Sequence, residues 1–405
     1  MKSLALKKAL PCLLLSLLTA CGGGGGGNDS SSSSSASNTS TATNASSSST
    51  SSSAQSNASS SSAATSTSSV SSSKSSSSVS SSAASSVSSS ATSSTSTSSR
   101  LIYEGVSLAG AEFGSAIPGT YNSDYTYPTT TEVDYFAGKG MNIIRLPFLW
   151  ERLQQSLGGD LNAAELARMD VVVAEATAKK VYIILDPHNY ARYNGNLIGS
   201  NAVSQDNYVD LWKKLSTHYK SNGYVFFALM NEPNGIDINT WLSAANAAIA
   251  GIRAQGAANL ILVPGISWTG AHSWLTSGNS TTMVNVKDSG NNFAFEVHQY
   301  FDSDSSGNSD TCSTTTGSTR LSDFTSWLKT NNFKGFLGEF AGGNNTDCKA
   351  AVTDALTYMR SNSSVWIGWT WWAAGPWWGT YKFTLEPTNN FTTDAAQMSW
   401  LTPYL

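Results

Sequence analysis

Phe226-Phe227-Ala228-Leu229-Met230-Asn231-Glu232-Pro233-Asn234 is an apolar run that stops abruptly at an amide, a carboxylate and a proline. Its length and continuity read as a buried strand of a parallel sheet, covered on both faces, that delivers Glu232 to its carboxyl end. A tripeptide such as Asn-Glu-Pro carries little information alone. Its weight comes from what the rest of the chain aims at the same place.

Seven further runs have the same character. Ile102 to Leu108 leads into Ala109-Gly110-Ala111-Glu112-Phe113-Gly114, Asn142 to Phe148 ends in Arg145-Leu146-Pro147-Phe148, and Val181 to Leu185 leads into Asp186-Pro187-His188-Asn189-Tyr190. Val225 to Met230 is followed by Leu260 to Val263, Phe293 to Tyr300, Gly335 to Glu339 and Trp366 to Trp372. Helical stretches lie between them: one capped by Asn162 and continuing to Lys180, then Asp206 to Tyr219, Asn239 to Ala254, Leu321 to Lys329 and Asp347 to Met359. Strands alternating with helices in this way predict an α/β fold, a (β/α)8 TIM barrel over residues 101–405. Strand after strand finishes in Arg, His, Asn-Glu, Glu-x-His-x-Tyr or Gly-Glu. Buried unpaired, such groups cost kilocalories each, so they are expected to meet at the carboxyl-end mouth of the barrel.

The first hundred residues are of a different kind. Lys2, Lys7 and Lys8 precede an apolar run from Ala9 to Leu18, too short to span a membrane, and then Leu18-Thr19-Ala20-Cys21. This resembles a bacterial lipoprotein signal, which implies removal of residues 1–20, lipidation of Cys21 and anchoring to a membrane without spanning it. Residues 21–100 read as a linker. After Gly22 to Gly27 they are almost entirely Ser, Thr, Ala and Asn, a composition that cannot bury enough to offset the entropy of ordering and that gives a coil reach of ~50 Å. All 13 Trp lie beyond it.

Once Cys12 leaves with the signal and Cys21 is lipidated, Cys312 and Cys348 remain, an even pair best read as a disulfide in an exported domain. Neither has a neighbouring Cys or His at ligand spacing, which disfavours a metal site. A net charge of −4 without basic clusters argues against nucleic acid, and not against a neutral polymer. The segment from Phe301 to Ser318, rich in Ser, Asp and Gly, reads as a surface excursion.

Glu232 and Glu339, at the ends of the fourth and seventh runs, can divide a glycosidic cleavage between a proton donor and a nucleophile. With Arg145-Leu146-Pro147-Phe148, His188-Asn189, Asn231-Glu232-Pro233, His298-Gln299-Tyr300, Gly338-Glu339-Phe340 and Trp369-Thr370-Trp371-Trp372 in that order, the domain resembles glycoside hydrolase family 5, a retaining clan A family. Gly338-Glu339-Phe340-Ala341-Gly342-Gly343 and Trp371-Trp372-Ala373-Ala374-Gly375-Pro376-Trp377-Trp378 are similar to its endo-β-1,4-glucanase branch. The resemblance implies Glu232 as general acid/base, Glu339 as nucleophile, and no cofactor or metal. It also implies Asn231 facing the sugar 2-hydroxyl, His188 at the cleavage point, His298 poising the acid, and Arg145 and Tyr300 donating to Glu339. By the same resemblance Trp372, preferred to Trp371 by strand alternation, is expected to form the floor of the sugar pocket. Trp268, Trp274, Trp377 and Trp378 lie in loops where flat faces suit glucose rings; two are expected to be platforms, Trp268 and Trp378 being the choice. The expected partner is a β-1,4-glucan, and the expected state a lipid-anchored monomer on the outer membrane or cell surface. A mannanase or xyloglucanase uses the same machinery with other loops, and a non-catalytic glycan-binding protein would have no need of both carboxylates.

Overall fold

The computed structural model describes residues Arg100–Leu405. The signal segment 1–20, the lipidation position Cys21 and the linker up to residue 99 lie outside the described residues. Arg100, assigned to the linker from composition, is tied to the domain: it pairs with Glu104 at 2.6 Å and donates to the Gly140 carbonyl at 2.7 Å.

The expected strands form, with small changes of bounds: β1 Tyr103–Leu108, β2 Ile143–Phe148, β3 Tyr182–Pro187, β4 Val225–Ala228, β5 Ile261–Pro264, β6 Phe293–His298, β7 Gly335–Glu339 and β8 Trp366–Ala374. They close into a barrel in sequence order, parallel throughout, β8 pairing with β1. The helices are α1 Thr130–Gly138, α2 Ala163–Ala178, α3 Gln205–Tyr219, α4 Ile238–Ala254, α5 Ser318–Asn331 and α6 Thr346–Ser361. Asn162 caps α2, its side chain accepting from the Ala164 and Glu165 amides at 3.0 and 3.1 Å. No described helix is long and apolar enough to cross a membrane.

Three departures from the sequence expectation have local causes. β4 ends two residues early: the Leu229 amide still bonds to the Leu262 carbonyl at 3.0 Å, but the Leu229 carbonyl is taken by Tyr208 Oη at 2.6 Å and Trp212 Nε1 at 3.2 Å, side chains of α3, instead of a neighbouring strand. Between β5 and β6 no full helix forms. The Gly- and Ser-rich sequence there makes only short turns, including Ser267–Thr269 and Asn279–Thr282, with Trp274 between them. Trp274 is not a platform: it is 0% exposed and packs on Phe324, Trp327 and Phe295 with ring centroids 4.9, 5.1 and 5.8 Å away. The unforeseen hairpin Arg192–Tyr193/Asn196–Leu197 turns on Asn194-Gly195, both at positive φ, a strong short-range hairpin signal.

Inside the barrel, Ile143, Ile184, Phe226, Ala228, Leu262, Ala294, Phe336 and Ile367 fill the lower layers. The next inward positions are polar yet buried: Ser107, Arg145, Asp186, Glu296 and Thr370. That change of character marks where the core ends and the mouth begins. Cys312 and Cys348 form the expected disulfide across 36 residues and pin the excursion after β6 to the first turn of α6. In the chain-entropy model such a link is worth roughly 4 kcal/mol.

Candidate active site

Arg145 organises the mouth. It points inward from β2, fully buried, and its three nitrogens reach different strands. Nη1 donates to Glu339 Oε1 at 2.7 Å, Nη2 donates to Asn231 Oδ1 at 2.7 Å and lies 2.9 Å from Asp186 Oδ2, and Nε lies 3.5 Å from Glu296 Oε1. Because the Asn231 oxygen accepts from Arg145, its amide nitrogen is the donor at 3.2 Å from His188 Nε2. His188 Nδ1 in turn meets Asp186 Oδ2 at 2.9 Å. The ends of five strands, β2, β3, β4, β6 and β7, are thereby joined through charged and hydrogen-bonded contacts.

The two carboxylates come from β4 and β7. Glu232 lies just past β4 with φ at +42°, a left-handed conformation that costs a β-substituted residue energy and collects at functional sites. Glu339 is re-aimed by a bulge: on β7 Leu337 pairs with Val297 and Glu339 with His298, so Gly338 is the extra residue. Phe336 faces the barrel interior, and a strictly alternating strand would turn residue 339 outward. The bulge turns it in. One oxygen of Glu232, one of Glu339 and a ring nitrogen of His298 all lie within 4.8 Å of one another. His298 Nδ1 is 2.7 Å from Glu232 Oε1 and 3.5 Å from Glu339 Oε2, and Tyr300 Oη donates to Glu339 Oε2 at 2.9 Å.

The environments of the two acids differ. Burial pushes the Glu232 pKa up, the Glu339 charge adds to this, and the His298 contact only partly opposes it, so Glu232 holds its proton above the usual range. Burial also works on Glu339, but the charges of His298 and Arg145, with the Tyr300 hydrogen bond, outweigh it and keep that carboxylate below its ordinary value. Burial opposes a charged His298, yet Glu339, Glu232 and Glu296 override it and push its pKa up to about 10. These contacts favour the imidazolium form of His298. For His188, burial disfavours the charged ring, and Asp186 still raises the pKa; the Asn231 amide donating to Nε2 favours the neutral form. Three donor atoms this close could surround a cation, but Arg145 and the imidazolium already supply positive charge to both carboxylates.

The walls are aromatic. Trp372 is half-buried and stacks on His188, centroids 5.3 Å apart at 14°, with the Arg145 guanidinium 5.9 Å from the indole. Trp371 is buried and donates through Nε1 to the Phe383 carbonyl at 2.8 Å. Trp378 meets Trp372 edge-on at 5.7 Å and Phe113 of the β1 loop at 5.1 Å. Trp268, 58% exposed, rises on three successive left-handed residues, and its amide donates to the Pro233 carbonyl at 3.3 Å, beside Glu232. Trp377 is exposed at 40%.

The structure thus brings Arg145, His188, Asn231, Glu232, His298, Tyr300, Glu339 and Trp372 together, with Trp378 against Trp372 and Trp268 beside the acid. Asp186, Glu296 and Tyr190 stood within the strand endings quoted from the sequence, and none was assigned a role there. Asp186 and Glu296 had a signal, each being an acid at inward parity within an apolar strand, two residues after Ile184 and Ala294. Tyr190, at φ +54° with its ring edge-on to His188 at 5.5 Å, had none.

The family model described as cellulase (glycosyl hydrolase family 5) matches residues 104–375. Endo-beta-1,4-glucanase B of Aspergillus niger is 43% identical over 303 residues, 74% of this chain and 89% of that protein. Among solved structures, XacCel5A in complex with cellopentaose is 50% identical at a TM-score of 0.74, covering 75% of this chain and 99% of the other. Endoglucanase Cel5A of Pseudomonas stutzeri in complex with cellobiose is 33% identical at 0.69, covering 75% and 92%.

Proposed function

The chain belongs to glycosyl hydrolase family 5, and from that membership and the site geometry we propose that Glu339 is the nucleophile and Glu232 the acid/base of a retaining endo-β-1,4-glucanase. The activity is that of a cellulase, the hydrolysis of internal β-1,4 bonds in β-glucan. The observation that carries the assignment of roles is the close pair of carboxylates, within 4.8 Å, in opposed environments. Retaining enzymes hold their carboxyls ~5 Å apart, whereas inverting ones leave ~6.5–9.5 Å for a water.

In the first step a Glu339 oxygen forms a bond to the anomeric carbon while the bond to the leaving oxygen breaks, and that oxygen takes the Glu232 proton. In the second, the Glu232 carboxylate removes a proton from water, whose oxygen bonds to the anomeric carbon and displaces Glu339. Arg145 and Tyr300 hold Glu339 ionised and aimed. Asn231 has given one amide hydrogen to His188 and keeps the other for the sugar 2-hydroxyl, a bond that strengthens toward the transition state. Trp372 would lie under the sugar at the cleavage point, and exposed Trp268 would take a ring on the leaving-group side.

Reducing ends released from carboxymethylcellulose are expected to far exceed those from mannan or xyloglucan, and cello-oligosaccharides are expected to be cut internally. Activity confined to mannan would overturn the assignment. Leu18-Thr19-Ala20-Cys21 further supports a lipid anchor. Cys21→Ser is expected to move the enzyme from the membrane fraction to the soluble fraction, and unchanged membrane association would refute that reading.

A further inference from the structure

Beneath the two catalytic carboxylates lies a third that the mechanism leaves unused. Glu296 points into the barrel from β6, between Ala294 of the apolar interior and His298, and is 1% exposed. No hydrogen-bond donor reaches either of its oxygens, and two more orphans stand opposite: Arg145 Nε and His298 Nε2. Both lie 3.5 Å from Glu296 Oε1, within ion-pair range. The opposite wall is cut away for this carboxylate, since a Cβ on Gly338 would fall 2.1 Å from Oε1. Gly338 is also the bulge residue that turns Glu339 inward. One glycine therefore makes room for Glu296 and aims the nucleophile.

We infer that Glu296 is a positioning residue that holds His298 as an imidazolium against Glu232 and so sets the pH window of the reaction. The inference rests on the roles proposed above for Glu232 and Glu339. His298 presents opposite ring edges to Glu232 and Glu296, so an anion behind it keeps the Nδ1 hydrogen directed at the acid/base. The other charged or titratable groups around the ring are Glu339 from β7, Arg145 from β2, His188 and Asp186 at the end of β3, and Tyr300 on the same chain segment. With Glu232 protonated and His188 neutral, Arg145 and His298 are two cations facing three carboxylates, those of Asp186, Glu296 and Glu339. Removing one anion makes this site neutral and lets every nearby proton leave more easily. Glu232 and His298 should then deprotonate at lower pH, and Glu339 should protonate only at lower pH.

Glu296→Gln keeps the shape and removes the charge. Both limbs of its kcat/KM profile should move to lower pH by roughly one pH unit. Activity at the alkaline edge should fall about tenfold, while KM for cello-oligosaccharides at the new optimum stays within about threefold of the parent value. Limbs that stay in place while activity falls equally at every pH would reduce Glu296 to a structural ion pair and overturn the inference. Should the variant not fold, nitrogen-15 NMR of the four histidines of the unaltered protein decides, with His298 assigned through His298→Gln. An imidazolium that persists past pH 8 supports the inference, and a neutral His298 at pH 7 sinks it. This measurement needs no turnover, so it stands apart from the tests of Glu232 and Glu339.

Discussion

Glu339→Ala is expected to lower kcat on β-1,4-glucan by ~10⁵-fold, because no other group can form the bond to the anomeric carbon that the first step requires. The fold should survive. Arg145 keeps Asp186, Asn231 and Glu296 as partners, so the buried guanidinium is not abandoned. Added azide, small enough for the vacated space, should attack the same face of an activated aryl β-cellobioside, expel the phenolate and give an α-glycosyl azide of inverted configuration. The configuration of that product is read by proton NMR. Rescue that instead gives the β-azide would show that another residue is the nucleophile.

Glu232→Ala should behave differently. On cellulose, whose leaving alcohol needs a proton, turnover is expected to fall by ~10³-fold or more; on an aryl cellobioside with a good leaving group the first step should be nearly spared. The pH profile separates the two acids as well. The Glu232 pKa is raised, so its active protonated form is full at low pH and is lost as pH rises through that pKa. Glu232 therefore forms the alkaline limb. The Glu339 pKa is depressed, so its active anion is present at neutral pH and is lost only as pH falls through that lowered value, which makes it the acid limb. In Glu232→Ala the alkaline limb should vanish while the acid limb remains. An alkaline limb unchanged in position would assign it to another group, with His298 next in line.

Much of this site was legible in the chain because a buried parallel strand leaves a strong local record. Continuous apolar runs marked all eight barrel strands, and the polar residues closing them named Arg145, His188, Asn231, Glu232, His298, Tyr300 and Glu339. The choice of Trp372 over Trp371 combined the matched Trp369-Thr370-Trp371-Trp372 motif with strand alternation; in the structure Trp371 is buried and donates to the Phe383 carbonyl, and Trp372 stacks on His188. Loop aromatics left no such record. Trp274 and Trp268 look alike in sequence, yet one is sealed among Phe295, Phe324 and Trp327 and the other stands exposed on a left-handed turn.

The amino-acid sequence by itself determined which residues are buried, which strands they end and hence which acids reach the mouth, since all of these follow from short-range periodicity and polarity. Only the tertiary structure decided how those acids differ. Alternation alone would send Glu339 away from the barrel interior, and it faces Glu232 because Gly338 is an extra residue against β6. Glu339 loses its proton because Arg145 and Tyr300 arrive from other strands at 2.7 and 2.9 Å with the His298 charge beside them, whereas burial and the Glu339 charge let Glu232 keep one against the pull of His298. Charge interactions depend on separation across the closed barrel, and that separation is set by closure and register rather than by spacing along the chain.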